Sequence, residues 1–171
     1  MSTPKALSAH ALSEQIVSQG VQKGITVSGA ESCTGGLIAK YLTDIPGSSA
    51  LFCGACVTYT NEIKQKLLGV DPTVIEQYTE VSYACAEAMA QGARRTFGTT
   101  VAYSTTGYAG PGGGTERDPV GTVYIGISTA EGTVSDRLAL PQDATREEIR
   151  EAAARAVLEK LATLTVGKEE L

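Results

Sequence analysis

The chain has 171 residues, 42% of them hydrophobic, enough to bury one core and short for two domains. A net charge of −5 with no Lys/Arg cluster argues against a nucleic-acid partner, because phosphate backbones are gripped by concentrated positive charge. No run approaches the roughly 20 apolar residues of a membrane span, and the opening MSTPKALSAH lacks the basic start and apolar centre of a signal peptide. A soluble, cytoplasmic, small-molecule-binding protein is expected, with no membrane partner.

In chain order, ALSAHALSEQIVSQGVQKG carries Leu7, Leu12, Ile16, Val17 and Val21 at helical spacing and ends on Gly24, which predicts an amphipathic first helix, within residues 1–23, packed on the domain. A strand over ITVSG follows, then a helix over GGLIAKYLTDI, a turn at PGSS, a strand over ACVTY and a helix over NEIKQKLLG. That last helix has Asn61 as its expected N-cap and Gly69 as its stop. Residues 81–97 read as a further helix. Strands are predicted at TTVAYSTTG, VGTVYIGIS and TVSDRLAL, the last two joined through TAEG as a hairpin. DATREEIREAAARAVLEKLATL closes the chain as a capped helix with one packed face. Strands alternating with helices, then a hairpin, imply an α/β fold: a three-layer α/β/α sandwich around a mixed β-sheet, in one domain.

Four cysteines, Cys33, Cys53, Cys56 and Cys85, in a chain without a secretory signal do not suggest a disulfide framework. Cys53-Gly54-Ala55-Cys56 has redox-motif spacing, but Cys56 runs into an apparent strand rather than opening a helix, so both are read as small core residues. The one histidine, His10, stands far from the cysteines, and no metal site is expected.

In open α/β sheets, ligands collect where strands end and helix N-termini point free N–H groups outward. Three segments have that character: AESCTGG, TYTNEIK and TTGYAGPGGGTERDPVG. The last is glycine-rich but contains no Gly-Lys-Ser/Thr, and the dinucleotide fingerprint G-x-G-x-x-G is absent, so ATP and NAD lose their best support and no cofactor is expected. Ser32 and Cys33 are possible nucleophiles at a strand-to-helix turn, and His10 is poorly placed as a base. A lysine can serve when burial or a neighbouring cation lowers its pKa, and Lys64, one turn beyond Tyr59, could share a pocket with it. Taken singly, Ser32 reads first as a helix-capping hydroxyl and Lys64, more strongly still, as a solvated surface lysine.

AESCTGG, DIPGSSALF, VTYTNEIKQKLLGV and TGYAGPGGGTERDPVGTV, in this order and spacing, resemble the CinA C-terminal domain family over residues 24–164. Enzymatic members of that family are nicotinamide-nucleotide amidases, which convert nicotinamide mononucleotide to nicotinate mononucleotide and ammonia in pyridine-nucleotide recycling. The resemblance implies Ser32 as nucleophile, with Tyr59 and Lys64 handling its proton. It implies substrate contacts along Glu31, Cys33, Thr34, Gly35 and Gly36, at Ser48, Ser49 and Asn61, and at Thr106, Gly107, Gly110, Gly112, Gly113 and Gly114. Backbone N–H groups from Cys33 to Gly36 would steady the oxyanion, and the phosphate would rest on the Gly110–Gly114 loop with Ser48 and Ser49. Larger members carry an extra N-terminal domain associated with competence and pyrophosphate hydrolysis, so the chain resembles the stand-alone form, and a homo-oligomer is expected.

Two positions depart from the family pattern. Thr106 stands where a serine is common, and Asp118 where a lysine often precedes Pro-Val-Gly. A carboxylate in place of a phosphate-holding lysine would repel the substrate. These departures favour the competing expectation of a non-catalytic ligand-sensing or partner-binding domain, and Cys33 leaves open a thiol enzyme.

Overall fold

The computed structural model describes residues 7–166; the first six residues of the expected N-terminal helix segment and the last five of the chain lie outside the described residues. Five strands form one sheet, β1 (Val27–Glu31), β2 (Phe52–Val57), β3 (Val101–Gly107), β4 (Thr122–Thr129) and β5 (Gly132–Ala139), in the spatial order β2-β1-β3-β4-β5. β2, β1 and β3 run parallel, while β4 and β5 add antiparallel at the far edge, so the sheet is mixed. The β4–β5 hairpin closes through Ala130 and Glu131, with Thr129 opposite Gly132.

Helices α1 (Ala9–Gln22), α2 (Leu37–Thr43) and α6 (Arg146–Thr165) cover one face. There Leu12, Ile16, Ile38, Leu42, Leu158 and Leu161 pack on Val27, Tyr103 and Ile125. Helices α3 (Asn61–Leu68), α4 (Pro72–Tyr78) and α5 (Tyr83–Phe97) cover the other, where Leu68, Cys85, Met89 and Ala93 close on Ala30 and Ala102. The chain is a single three-layer α/β/α sandwich. Among the described residues no helix is long and apolar enough to cross a membrane.

Local chemistry accounts for most boundaries. Thr145 caps α6 through a capping box with Glu148, and Gly69 ends α3 in the left-handed conformation that costs glycine least. The helix α4, which the sequence reading omitted, opens on Asp71 as N-cap with Pro72 in its first turn, a standard start signal. β2 begins at Phe52 rather than Ala55, because it pairs with the whole of β1. The Cys53–Cys56 motif therefore lies inside a strand, and Cys53 is exposed while Cys56 is half-buried, which corrects the expectation that both are core residues. β2 forms a sheet edge, so its outward positions find no second layer.

β1 is flanked by β2 and β3, reached by crossovers on opposite faces of the sheet: α2 leads to β2 on one side and α3–α5 lead to β3 on the other. A crevice opens at the carboxyl end of such a strand, where ligands of open α/β sheets bind.

Candidate active site

Strand alternation sends neighbouring residues of β1 to opposite layers. Val27 packs into the α1–α2–α6 core and Glu31 points to α2, while Ser28 and Ala30 face α5. Ser32 continues this alternation one residue past the strand. Its N–H donates to the Thr105 carbonyl at 3.0 Å, and its hydroxyl falls on the side from which α3 approaches.

Glu31 is wholly buried and its carboxylate gathers the turn beneath the site. It accepts from the N–H groups of Gly36 at 2.9 Å, Ala39 at 2.9 Å and Ile38 at 3.4 Å, from Thr34 Oγ1 at 2.7 Å and from the Tyr103 hydroxyl at 3.0 Å. A carboxylate at a helix start is favoured by both the free N–H groups and the dipole. Gly29 leaves the space this needs, since a Cβ there would lie 2.1 Å from the Tyr103 ring. Two expectations change as a result. Glu31 is an internal anchor with its oxygens engaged rather than a substrate contact, and the first N–H groups of α2 are already spoken for. Gly35 N–H donates to the Ser32 carbonyl, so only the N–H groups of Cys33 and Thr34 remain without a partner on another residue among those described. Ser32 is not a helix cap; Gly36 holds that position.

Lys64 enters from α3. That helix is capped by Thr60, whose Oγ1 accepts from Ile63 N–H at 3.3 Å, so Asn61 is the first helical residue and exposed, which corrects its expected capping role and places it outside the cavity. One turn further, Lys64 is only 1% exposed. Its Nζ donates to the Thr58 carbonyl at 2.9 Å and lies 3.3 Å from Ser32 Oγ. Burial lowers its pKa from the ordinary 10.5, against the smaller opposing pull of Cys85, Glu80 and Cys33. A buried amine with no carboxylate paired to it, among the described residues, favours its neutral form.

A cavity of about 210 Å³ opens over this pair, lined by Ser32, Cys33, Tyr59 and Lys64. Cys33 is a weak nucleophile there. Burial, with Glu31 nearby, pushes its thiol up to about 12, while Lys64 and Arg146 pull only weakly the other way, so a thiolate is scarce near neutrality. Tyr59 is 56% exposed, and its hydroxyl accepts from Arg146 Nη2 at 2.7 Å. It makes no hydrogen bond to Ser32 or Lys64.

From the glycine-rich loop, Thr106, Gly107, Gly110 and Gly112 line the cavity, whereas Gly113 and Gly114 do not. The loop's own turn requires Gly114, which has φ +82° and would place a Cβ 2.7 Å from Val120 N. Thr34 is buried between Glu31 and Thr105, and Gly35 and Gly36 shape the turn rather than line the cavity. Ser48 and Ser49 form a 3₁₀ turn just before β2, at the opposite end of the strands from Ser32, so they stand away from the pocket they were expected to line.

The two departures from the family pattern have packing explanations. Thr106 Oγ1 donates to the Glu80 carbonyl at 2.6 Å, tying β3 to the segment before α5. Asp118 lies outside the cavity and is buried against Arg137 Nε at 3.1 Å and the Tyr124 hydroxyl at 2.9 Å. Its charge is compensated at close range, which removes the expected repulsion of a phosphate.

Sequence reasoning missed Arg146, Glu80 and Tyr108, all of which line the cavity. Arg146 is the first residue of α6 and bridges Tyr59 to the Gly110 carbonyl at 2.7 Å. The Thr145–Glu148 capping box marks the helix start, but nothing in the sequence says that this start returns to the end of β1. Among the described residues no group of three or more His, Cys, Asp or Glu side chains could hold a metal ion.

Residues 9–165 match the family model of the CinA C-terminal domain. A CinA-like protein of Myxococcus xanthus is 51% identical over 140 residues, covering 81% of this chain and 32% of its own length. One from Shewanella denitrificans is 46% identical over 164 residues, covering 89% of this chain and 38% of the relative. The chain thus spans about a third of the length of these curated relatives. Among solved structures, a competence/damage-inducible protein from Agrobacterium tumefaciens superposes with a TM-score of 0.89 at 39% identity, over 96% of this chain and 99% of that one. A CinA superfamily protein from Klebsiella pneumoniae gives 0.88 at 27% identity, over 94% and 99%.

Proposed function

The chain belongs to the CinA C-terminal domain family, and from that premise and the Ser32–Lys64 pair we propose that it is a nicotinamide-nucleotide amidase, hydrolysing nicotinamide mononucleotide to nicotinate mononucleotide and ammonia. The observation that carries the reading is a buried lysine with a lowered pKa, its Nζ 3.3 Å from a serine hydroxyl in a cavity. Burial that disfavours the ammonium is what a lysine base requires.

Neutral Lys64 takes the Ser32 proton as Oγ bonds to the carboxamide carbon and the carbonyl electrons move to oxygen. Direct transfer suits the 3.3 Å contact, since Tyr59 makes no hydrogen bond to either Ser32 or Lys64. The N–H group of Cys33, which lines the cavity and has no partner on another residue among those described, receives the oxyanion. Collapse breaks the carbon–nitrogen bond, Lys64 returns the proton to the leaving group, and ammonia departs from an acyl-serine ester. Water then adds to the ester carbon while Lys64 takes its proton, and Ser32 leaves reprotonated. Arg146, beside Gly110 and Gly112, pairs with the substrate's phosphate.

Ammonia release from nicotinamide mononucleotide, measured with and without EDTA, tests the reading. Release by the native protein and none by Ser32→Ala is expected. Tight binding of the mononucleotide with no release would instead identify a non-catalytic binding domain.

A further inference from the structure

The cavity holds a carboxylate that the proposed chemistry does not use. Glu80 lines the same cavity as Ser32 and Lys64, and among the described residues its side chain has neither an ion-pair nor a hydrogen-bond partner. It is held there deliberately. Thr106 Oγ1 fixes its carbonyl at 2.6 Å, Ser82 Oγ donates to the Thr79 carbonyl at 2.9 Å, and Thr79 Oγ1 donates to the Val81 carbonyl at 3.2 Å. Thr79 itself sits at φ 70° and ψ 168°, a region essentially reserved for glycine. The surrounding bonds hold the segment in this unfavourable conformation, and it presents Glu80 and Val81 to the cavity, Glu80 being the charged one.

Beside Glu80 lies Tyr108, half-buried, packed on the Val81–Ala86–Tyr124 cluster and lining the cavity too. An unpaired carboxylate in a pocket meant for a phosphate ester weakens binding by like-charge repulsion, unless the ligand also carries positive charge nearby. Glu80 also opposes the lowering of the Lys64 pKa, so it works against the base when the cavity is empty. A cationic ring would resolve both conflicts. It pairs with the carboxylate, lies against an aromatic side chain, and cancels the field that Glu80 exerts on Lys64.

We infer that Glu80 and Tyr108 form a subsite for the positively charged pyridinium ring, in the cavity that Arg146 also lines as the phosphate position, so that the cavity selects a dipolar ligand by its two charges. The inference rests on the proposed amidase reading for the ligand's identity. The subsite distinguishes a quaternary pyridinium carboxamide from the same skeleton with an uncharged ring.

The test uses the Ser32→Ala protein, which separates binding from turnover, and two ligands: nicotinamide mononucleotide and its reduced 1,4-dihydro form, which keeps the ribose, phosphate and carboxamide but has a neutral ring. Calorimetry should give a dissociation constant about tenfold lower for the pyridinium form, the size expected of one partly desolvated charge pair with an aromatic contact. Adding Glu80→Gln should erase most of that preference by weakening only the oxidised ligand. Tyr108→Leu should reduce it, and Tyr108→Phe should preserve it. Equal affinity of the Ser32→Ala protein for the two forms overturns the subsite, whether or not the Glu80 variant folds. Equal weakening of both ligands by Glu80→Gln also overturns it and makes Glu80 a sugar contact. Loss of turnover in Glu80→Gln with the preference intact overturns it in favour of a role in activating water. If the native protein releases ammonia but shows no ring preference, the subsite alone falls. If it releases none but Ser32→Ala retains the preference, the amidase reading alone falls.

Discussion

Lys64 Nζ stands 3.3 Å from Ser32 Oγ, and its other bond, to the Thr58 carbonyl at 2.9 Å, aims it at the end of β1. The two residues belong to different elements, and β2 pairing with β1 brings their loops together. Because Thr58 N–H also donates to the Glu31 carbonyl at 2.8 Å, the segments that carry nucleophile and base are joined directly by backbone.

Ser32→Ala should abolish ammonia release, whereas Cys33→Ala, which leaves nucleophile and base in place, should preserve most of it. The thiol, pushed up to about 12 by burial, has little thiolate to contribute. Equal losses in the two variants, measured as kcat, would remove the serine assignment.

Lys64→Met should lower kcat by roughly 10²–10⁴-fold, the contribution of general-base catalysis, and Lys64→Arg should fail nearly as badly because a guanidinium cannot accept the proton. Native activity should rise with pH through a pKa below 10.5, since burial lowers it and only the free amine is a base. Stability carries the same sign. A cation with a depressed folded pKa penalises folding below that pKa, and the penalty fades as pH rises to the unfolded value near 10.5. Lys64→Met should therefore melt higher than native at neutral pH, with the difference closing towards pH 10.5. An active Lys64→Arg protein with an unchanged pH profile would dismiss the base.

Arg146→Ala should raise KM for the mononucleotide by about tenfold or more while changing kcat less, as loss of a charged phosphate contact does. Tyr59→Phe removes only the acceptor for Arg146 Nη2, so it should raise KM roughly two- to tenfold, the net worth of one ordinary hydrogen bond at a solvent-exposed tyrosine. If instead kcat of Tyr59→Phe fell a hundredfold or more, on the scale of acid–base catalysis, the proton would have to pass through the tyrosine.

Glu31→Ala should act on stability before chemistry. It leaves buried N–H and hydroxyl donors around α2 without their acceptor, a loss on the order of 3 kcal/mol or more. For a chain this long that corresponds to a fall in Tm of at least roughly 6 °C. Thermal melting reads it directly. An unchanged Tm with weakened substrate binding would return Glu31 to the role of substrate contact.

Much of this protein is written in local sequence, because caps, turn residues and hydrophobic periodicity act over a few residues. The alternation of strands and helices, the β4–β5 hairpin, Gly69 as the stop of α3 and Thr145 before α6 need no distant partner to be recognised. The three-layer mixed sheet follows from that order, and Ser32 and Lys64 could be singled out as candidates at strand-to-helix turns. Tertiary structure decided what each candidate faces. Strand alternation at the end of β1 turns Glu31 inward to α2 and Ser32 toward Lys64, and the opposite polarity of a strand's two ends carries Ser48 and Ser49 away from the cavity. Arg146, 87 residues beyond Tyr59, reaches it only because β5, at the opposite edge of the sheet, runs in the direction of β1 and delivers α6 to the same end of the strands. Asp118 reads as a misplaced negative charge until folding brings Arg137 across from the neighbouring strand. Such pairings depend on where the chain returns, and local residue patterns encode no return address.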